Sequence, residues 1–431
     1  MAAATGGRLI GPDTTIDGAS IDSRSVRPDQ LFVPIVAERD GHDFIGKARE
    51  AGVTTYLTSR EAEGSGTAIV VRDTALALAD LGRAARARLT GPVVGVTGSV
   101  GKTSTKDLLA SVLATSYVTA ANERSFNNEL GLPLTLLGAR DDTEAVVVEM
   151  GARGVGHIAL LCDIARPTVG IVTRVEGVHL ELFGDIESVA RAKGELIEAL
   201  PDDGLAVLNN DHPLVVAMAD RTSATVLRYG FTPDADVYAD NISLDDELRG
   251  SFTLHSPWGS AAVTLGARGE HQISNALAAV AAAGGIGVPV DRIAAGLGQA
   301  AISGLRMELT RTDGGVLILN DAYNANPTSM AAALDSLATL AASRRVAVLG
   351  VMAELGESAP AEHLAITERA HALGVEVIAV DAPDYGPDAQ HVPTVEQAAA
   401  ALSDLATGDA VLVKGSRVAA LERVAAALTA G

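Results

Sequence analysis

The residues best suited to chemistry lie in one stretch of the chain, GPVVGVTGSVGKTSTKD over 91–107. Its Val-rich start predicts a short buried strand that turns sharply into a helix beginning near Thr103. Such a turn directs several backbone N–H groups and a helix N-terminus at one point, which suits a polyphosphate. The turn comprises seven residues: Gly98, Ser99, Val100, Gly101, Lys102, Thr103 and Ser104.

Side-chain types indicate a role for each key position of this loop. Gly98 and Gly101 permit positive φ angles and a close approach of the backbone to a ligand. Lys102 is predicted to reach the β- and γ-phosphates, and the Thr103 hydroxyl to bind Mg²⁺. The strict P-loop pattern requires a glycine where Val96 stands, so the sequence fits only the shorter form T-G-x-x-G-K-T-S. An ordinary glycine-rich turn between strand and helix is the alternative.

Two candidate metal ligands follow predicted strands downstream of the loop. Glu149 lies in the Val-rich segment 145–151, and His179 follows the segment 169–173. Because ligands gather at the carboxyl ends of strands in open α/β sheets, Glu149 is predicted to lie beside the phosphates. A carboxylate and an imidazole at neighbouring strand ends can hold a hard cation together with phosphate oxygens. A solvated loop histidine is the alternative for His179.

Composition limits the class of protein. The chain has 431 residues, enough for two to four domains, and its small aliphatic residues, 44 of them Gly, suit α/β layers. The net charge of −21 and the absence of a Lys/Arg cluster argue against nucleic-acid binding. No apolar run reaches the ~20 residues of a membrane span, and the single Cys162 fits a reducing cytosol. We therefore expect a cytoplasmic protein with no nucleic-acid or membrane partner.

Other polar residues stand at places where a strand or a helix is predicted to begin or end. Ser23, Arg24 and His42 lie on loops of the first 85 residues, either to hold a polar ligand or as ordinary turn residues. Lys193, on a predicted helix over 186–200, is by default a solvated surface lysine. Three asparagines remain. Asn127 and Asn128 lie either in a hydrogen-bonding loop or in Asx turns, and Asn275 lies at a capping or ligand position.

The last third of the chain alternates strands and helices. A predicted strand over 317–321 ends in the loop that carries Asp321, Asn324 and Asn326, and a helix is expected from Ser329. Segments 345–349, 375–380 and 410–413 predict parallel strands, whereas the period-two pattern over 226–266 predicts antiparallel ones. The last strand runs into Lys414-Gly415-Ser416-Arg417, a second loop suited to anions.

These patterns predict an α/β fold with three domains. They are a small N-terminal α/β domain over 1–85, a central P-loop-type ATPase domain over 86–305, and a C-terminal Rossmann-like domain over 306–431. The central sheet is expected to be mostly parallel with a small antiparallel part.

Nine segments in order along the chain resemble the Mur ligase family. They are IDSR, DGHDF, TGSVGKTS, SFNNELGLPLTLL, VVEMGA, AKGELIEAL, GEHQISNALAA, DAYNANPTSM and VLVKGSR. The resemblance implies domains for a UDP-sugar, for ATP and for an incoming amine. SFNNELGLP and DAYNANP are similar to the branch that adds D-Ala-D-Ala to UDP-MurNAc-tripeptide in peptidoglycan precursor synthesis. The resemblance implies ATP and Mg²⁺ as cofactors, an acyl-phosphate intermediate, and a monomeric enzyme.

The resemblance also assigns roles by position. The uridine end would lie near Ser23, Arg24 and His42, and the substrate near Asn127 and Asn128. Lys102 and Thr103 would grip the triphosphate and Mg²⁺. The further metal ligands would be Glu149, His179 and Lys193, the last as a carbamate that replaces the default surface interpretation. Adenine and ribose would contact Asn275, Arg306 and Asp321. The phosphates would lie near Asn324 and Asn326, and the amine or phosphate side would carry Lys414, Ser416 and Arg417.

Three departures from the family pattern leave alternatives open. Val351 and Asn320 stand where the family commonly has Asp, and the stretch 173–178 lacks the usual Asn and Gly-Glu before the metal histidine. A Mur-like ligase acting on another carboxylate and amine is one alternative, and a non-catalytic Mur-fold nucleotide-binding subunit is the other. The third residue of the peptide substrate stays open as well. A switch GTPase is disfavoured because no guanine-reading motif is present.

Overall fold

The computed structural model describes residues 1–62, 64–122, 126–177 and 180–430, and in these the chain forms three α/β units. Each unit is built on its own sheet, which confirms the predicted α/β class. Within the described residues, every helix is too short or too polar to cross a bilayer.

The first unit contains a five-stranded sheet with the order β1-β5-β4-β3-β2. All its neighbours pair in parallel except β1 and β5. The strands are β1 (Arg8–Ile10), β2 (Ala19–Ser20), β3 (Leu31–Phe32), β4 (Thr55–Thr58) and β5 (Thr67–Val70). The helices are α1 (Ala2–Thr5), α2 (Ile45–Glu50) and α3 (Thr74–Arg86), with a 3₁₀ turn at Gly41–Phe44. Asp73 begins α3 by accepting two backbone N–H bonds in its first turn.

The second unit is built on a nine-stranded sheet with the order β14-β13-β12-β11-β10-β9-β6-β8-β7. Its strands are β6 (Val93–Thr97), β7 (Thr119–Ala121), β8 (Ala145–Glu149), β9 (Val169–Val172), β10 (Leu205–Asn209), β11 (Thr225–Gly230), β12 (Val237–Leu244), β13 (Arg249–Ser256) and β14 (Gly259–Arg268). Only β12, β13 and β14 are antiparallel. The prediction of antiparallel pairing over 226–266 is therefore wrong for β11, which lies parallel to both β10 and β12. A period-two pattern records which face of a strand is buried and not its direction.

Helices cover both faces of this sheet. They are α4 (Lys102–Leu113), α5 (Gly131–Gly138), α6 (His157–Ala165), α7 (Leu180–Phe183), α8 (Ile186–Glu198), α9 (Pro213–Val216), α10 (His271–Gly285) and α11 (Val290–Gln299), with a 3₁₀ turn at Ala217–Arg221. The Ala-rich α10 is buried along almost its whole length and shares one apolar core with α4. Its small side chains allow α10 to lie in the middle of the unit, where it packs against α4.

The third unit has a six-stranded sheet with the order β15-β16-β20-β17-β18-β19. Its strands are β15 (Glu308–Arg311), β16 (Leu317–Asn320), β17 (Arg345–Leu349), β18 (Glu376–Val380), β19 (Gln390–Val392) and β20 (Ala410–Lys414). All pair in parallel, as predicted for β17, β18 and β20, except the edge strand β15. The helices are α12 (Pro327–Thr339), α13 (Ala359–Ala372), α14 (Val395–Ala400) and α15 (Glu422–Ala430), with 3₁₀ turns at Gly356–Ser358, Pro383–Tyr385 and Arg417–Ala419. Helix α12 begins two residues before the predicted Ser329, because Asn326 and Ser329 form a capping box with Pro327 between them.

Packing of α11 against α4 yields a test of the core behind the loop. A Cβ on Gly296 would lie 2.6 Å from the Cα of Val112 and 3.1 Å from the carbonyl oxygen of Ser111. We expect Gly296→Ala to cost ~1–3 kcal/mol of unfolding free energy, since the two helices must separate. Thermal unfolding measures this as a midpoint lowered by several degrees.

Gly298→Ala on the same helix is the matched control. Its nearest contact would be the carbonyl oxygen of Thr264 at 3.3 Å, and the better helix propensity of Ala offsets that contact. Equal melting temperatures for the two variants would contradict the proposed packing constraint.

Candidate active site

A cavity of about 630 Å³ lies between the second and third units. It is lined by most of the residues predicted to act in the site. These are residues 98–104, Asn127, Asn128, Glu149, Lys193, Asn275, Arg306, Asp321, Asn324, Asn326, Lys414, Ser416 and Arg417. The fold therefore brings together side chains that are more than 300 positions apart in the sequence.

Four predicted residues are not placed in this cavity. His179 lies outside the described residues. Ser23 and Arg24 belong to the first unit, where the Arg24 guanidinium pairs with Asp22 at 2.7 Å on the surface. His42 is buried, with its Nδ1 2.6 Å from Asp40 and its Nε2 accepting the N–H of Ser59 at 3.0 Å. Both ring nitrogens of His42 are thus engaged in holding its own loop.

Backbone geometry of the loop 98–104 requires its glycines. Gly98 has φ +147°, and a Cβ there would lie 1.9 Å from the Thr173 hydroxyl oxygen. Gly101 has φ +89° and precedes α4, which begins at Lys102, one residue before the predicted start. A Cβ on Gly101 would lie 2.4 Å from Asn275 Oδ1. Both positions therefore exclude a side chain for steric as well as conformational reasons.

The carbonyl oxygens of the loop accept hydrogen bonds, whereas several consecutive N–H groups have no partner among the described residues. Lys102 Nζ donates to the carbonyl oxygens of Gly98 at 2.7 Å and Ser99 at 3.3 Å. The Val100 carbonyl accepts from Thr173 Oγ1 at 2.6 Å, and the Gly101 carbonyl from the N–H of Thr105. Among the described residues, no acceptor is present for the N–H groups of 100–103. Adjacent free N–H groups at a helix N-terminus form a site for an anion.

A neighbouring segment, 173–176, braces the loop from one side. Ser99 donates its N–H to the Arg174 carbonyl at 2.7 Å and its hydroxyl to the Glu176 carbonyl at 3.1 Å. The N–H of Glu176 in turn donates to Ser99 Oγ at 2.8 Å. This brace comes from the stretch in which the sequence departs from the family pattern.

Glu149 is the central acid of the site. It ends β8, is 1% exposed, and its N–H donates to Asn122 Oδ1 at 2.9 Å. Its Oε2 accepts the Thr103 hydroxyl at 2.7 Å, and its Oε1 accepts Asn127 Nδ2 at 2.8 Å. No described cation lies within ion-pair distance of this carboxylate.

Oxygen donors of this kind fit a hard cation such as Mg²⁺. The described residues contain no cluster of three His, Cys, Asp or Glu side chains. A bound Mg²⁺ would find oxygen ligands here in Glu149 and Thr103.

Lys193 is buried, in contrast to the default surface interpretation. It is 3% exposed and lies on the apolar stripe of α8 with Val189, Ala192 and Leu196. The described residues provide no hydrogen bond or ion pair to its amine. Burial, and then repulsion from Lys102, hold the pKa of Lys193 well below its usual value. Burial likewise lowers the pKa of Lys102, while Glu149 opposes that shift.

The third unit reaches the loop through Arg306. The Arg306 guanidinium donates to Thr103 Oγ1 at 3.0 Å and lies 4.1 Å above the Tyr323 ring. Leu305 and Met307, on either side, both adopt positive φ angles, of 62° and 51°. Such conformations are strained for residues with side chains, so packing around Arg306 must hold them.

Several predicted ligand residues also have structural partners. Asp321 pairs with Lys414 at 2.5 Å, and Lys414 Nζ also donates to the Asn324 carbonyl at 3.0 Å. Asn326 caps α12, and Ser416 Oγ accepts the N–H of Ala353 at 2.9 Å.

Three further predicted residues have local partners. Asn275 is on the second turn of α10 and donates to Gln272, so of the two predicted positions, cap or ligand, it does not occupy the cap. Arg417 pairs with Glu422 at 2.7 Å, and Asn128 Oδ1 caps the turn before α5.

Sequence reasoning missed His271, Asn122 and the brace residue Thr173. His271 lines the cavity one helical turn before Asn275, and burial lowers its pKa to about 4, so the ring is neutral at pH 7. The spacing i, i+4 on an apolar helix was the available signal for His271. No local pattern marks the other two, because their partners are distant in sequence.

Comparison with known proteins gives a consistent result. Residues 96–283 match the family described as Mur ligase middle domain, and residues 305–417 match Mur ligase, glutamate ligase domain. Two relatives named UDP-N-acetylmuramoyl-tripeptide--D-alanyl-D-alanine ligase align over almost their whole length. The one from Mycobacterium tuberculosis (strain ATCC 25618 / H37Rv) is 40% identical over 95% of this chain and 91% of its own. The one from Escherichia coli (strain K12) is 35% identical over 98% and 96%.

Solved structures agree in all three units. Crystal structure I of MurF from Acinetobacter baumannii has a TM-score of 0.90 at 30% identity, covering 100% of this chain and 98% of that one. MurF ligase from Thermotoga maritima in complex with ADP has a TM-score of 0.83 at 29% identity, covering 96% and 97%. The likeness thus includes the relative placement of the units around the cavity.

The contact between Gly101 and Asn275 leads to a test of the loop. Gly101→Ala would force a side chain into a left-handed conformation, which costs about 1–2 kcal/mol, and would displace Asn275. We expect ADP affinity to fall about tenfold or more, measured by calorimetry.

Gly138→Ala serves as the control, because no atom lies within 4 Å of its Cβ position at the end of α5. ADP should bind this variant with unchanged affinity. Equal ADP affinities for both variants would show that the loop does not form the nucleotide site.

Proposed function

The chain belongs to the Mur ligase family, and we propose that it is the ATP-dependent ligase that joins D-Ala-D-Ala to UDP-MurNAc-tripeptide. One observation carries the proposal. The loop 98–104, Glu149 and the buried Lys193 line the same cavity as Arg306 and Lys414 of the third unit. Relatives that bear this activity in their names match the chain across all three units.

We assign one substrate to each part of the chain. The UDP-sugar binds at residues 1–85, ATP at 86–305 and the incoming dipeptide at 306–431. Burial raises the pKa of the Cys162 thiol to about 12, so this cysteine is protonated and takes no part in the chemistry.

Binding of ATP follows from the donors of the loop. The N–H groups of 100–103 and the Lys102 ammonium receive the phosphates. The Thr103 hydroxyl, the Glu149 carboxylate and Lys193 as a carbamate would hold Mg²⁺. When bound, Mg²⁺ supplies positive charge against the phosphate oxygens.

Repulsion between anions is the main obstacle to the first step. The carboxylate of the tripeptide attacks the γ-phosphorus of ATP, the bond to the β-phosphate oxygen breaks, and an acyl phosphate and ADP form. Lys102 and Arg306 lower the repulsion, because both cations face the cavity where the two anions meet.

The second step forms the amide bond. The neutral amine of D-Ala-D-Ala attacks the acyl carbon, inorganic phosphate leaves, and the amine loses a proton. Lys414, Ser416 and Arg417 line the cavity on the side from which the acceptor enters. Closure of the third unit on the second would hold the amine in place and exclude water.

A different carboxylate and amine is the competing substrate pair, and Val351 is the residue that favours it. Val351 is half-buried against the apolar core of the third unit, where the family commonly has an acid. The DAYNANP and KGSR loops nevertheless line the same cavity, so we retain D-Ala-D-Ala as the acceptor. A non-catalytic role is disfavoured, because a scaffold has no use for a buried lysine that lines the cavity beside Glu149 and Lys102.

A competition assay tests the function. Purified enzyme with UDP-MurNAc-tripeptide and ATP is offered D-Ala-D-Ala, D-Ala-D-lactate, single D-Ala or L-amino acids, and phosphate release is measured. We expect D-Ala-D-Ala to exceed single D-Ala by about 10²-fold or more in kcat/KM, because a shorter acceptor leaves polar groups of the site unpaired.

A single amino acid that outcompetes the dipeptide would rule out the proposed acceptor while leaving an ATP-dependent ligase. Phosphate release that no amine stimulates, with any UDP-muramyl peptide, would favour the non-catalytic alternative. Assays without tripeptide give the background rate.

Lys193 provides a second test. A buried neutral amine reacts with CO₂, and the carbamate adds anionic oxygens that a hard cation prefers. We expect Lys193→Ala to lower turnover by about 10²-fold or more, with no rescue by bicarbonate and partial rescue by acetate. ¹³C NMR of the wild-type enzyme under ¹³CO₂ should show a carbamate signal that the variant lacks.

Lys47→Ala, at an exposed position on α2, is the control and should keep wild-type turnover. An active, metal-bound enzyme without the carbamate signal would contradict the assignment.

A further inference from the structure

We propose that Asn127 is a positioning residue for the Glu149 carboxylate and does not bind the peptide substrate. This inference rests on the proposed function, in which Glu149 is a metal ligand. It revises the substrate-binding role that the resemblance assigns to Asn127. The juxtaposition that carries it is the hydrogen bond of 2.8 Å from Asn127 Nδ2 to Glu149 Oε1.

Two donors fix the orientation of the carboxylate. Thr103 holds Oε2 at 2.7 Å, and Asn127 holds Oε1. The terminal torsion of a Glu side chain is otherwise soft, so both bonds are needed to set which lone pairs face the cavity. Glu149 is 1% exposed, and water therefore cannot replace a lost donor at low cost.

Asn127 is itself anchored to the end of the same strand. Its carbonyl oxygen accepts the N–H of Gly151 at 2.8 Å. Its amide lies 3.0 Å from the position of a Cβ on Gly151, so the glycine provides the space for it. The position of the Asn127 amide is therefore fixed by Gly151, which follows β8 and lies two residues after Glu149.

The adjacent Asn128 shows a different arrangement. Its Oδ1 accepts the N–H groups of Leu130 at 3.3 Å and Gly131 at 2.9 Å. It caps the turn that enters α5, and within the described residues it makes no hydrogen bond to Glu149. Two neighbouring residues of the same type in the same cavity thus differ in the one feature that matters, which makes Asn128 a matched control.

Metal binding without turnover is the primary measurement. Mn²⁺ is titrated into the full-length enzyme with ADP and followed by EPR, for wild type, Asn127→Leu and Asn128→Ala. Leu has nearly the shape of Asn but no donor. We expect about 10- to 100-fold weaker Mn²⁺ binding for Asn127→Leu, the usual effect of removing a partner of a metal ligand. Asn128→Ala should bind Mn²⁺ like wild type.

Two further measurements separate positioning from substrate contact. In steady-state assays, Asn127→Leu should raise the Mg²⁺ concentration for half-maximal rate and leave the KM for UDP-MurNAc-tripeptide unchanged. In a Glu149→Gln background, adding Asn127→Leu should leave the residual Mn²⁺ affinity unchanged, because the two act as one unit. Asn127→Ala replaces Asn127→Leu if the latter does not fold.

Unchanged Mn²⁺ affinity with a raised KM for the tripeptide would overturn the proposal while leaving the proposed function intact. Wild-type enzyme that shows ligase activity but binds no Mn²⁺ with ADP would overturn the proposal through the role of Glu149. A wild-type enzyme without ligase activity would instead refute the proposed function itself.

Discussion

The active site depends on one constraint: backbone N–H groups that must receive phosphates cannot also hold their own loop together. The loop therefore directs its carbonyls to Lys102 and Thr173, and the N–H groups of 100–103 have no acceptor in the described part of the chain. Its shape is supplied from outside by the brace of 173–176 and by Asn275 against Gly101. The buried helices α4 and α10 support the loop, and the apolar core of the second unit therefore holds these few donors in place.

Charge in the cavity runs opposite to charge on the whole molecule. The chain carries −21, yet seven Lys and Arg side chains line the cavity against four Asp and Glu, counted over the described residues. Burial makes a charge on Lys102 costly, as its lowered pKa shows. Such a cost is sustained where anionic ligands restore the balance, which agrees with substrates that bring a triphosphate and a carboxylate. Arg306 couples this balance to the third unit, because it contacts both Thr103 and Tyr323.

Sequence reasoning succeeded where a local pattern has one physical meaning. The glycines of the loop, the acid at the end of β8 and the parallel strands of the third unit are such cases. It failed where a pattern has several meanings: alternation did not give the direction of β11, which is parallel to its neighbours. Partners such as Asn127 and Glu149, 22 positions apart, appear only when β8 and its neighbours are assembled. For Lys193 the signal was present, because its neighbours at 189, 192 and 196 are apolar and place it on the buried stripe.

The departures from the family pattern differ in consequence because of what each residue contributes. In 173–176 the brace uses the carbonyls of Arg174 and Glu176, so their side chains are free to vary, and only Thr173 acts through its hydroxyl. The changed residues of this stretch therefore leave the brace of the loop 98–104 intact. Val351 likewise supports the KGSR loop through its carbonyl, which accepts the N–H of Ser416 at 2.9 Å. Val351 in place of an acid keeps this backbone contact with the loop. The shape of the loop 98–104 and of the KGSR loop is therefore held in part by backbone hydrogen bonds, which do not depend on the side chains at 174, 176 and 351.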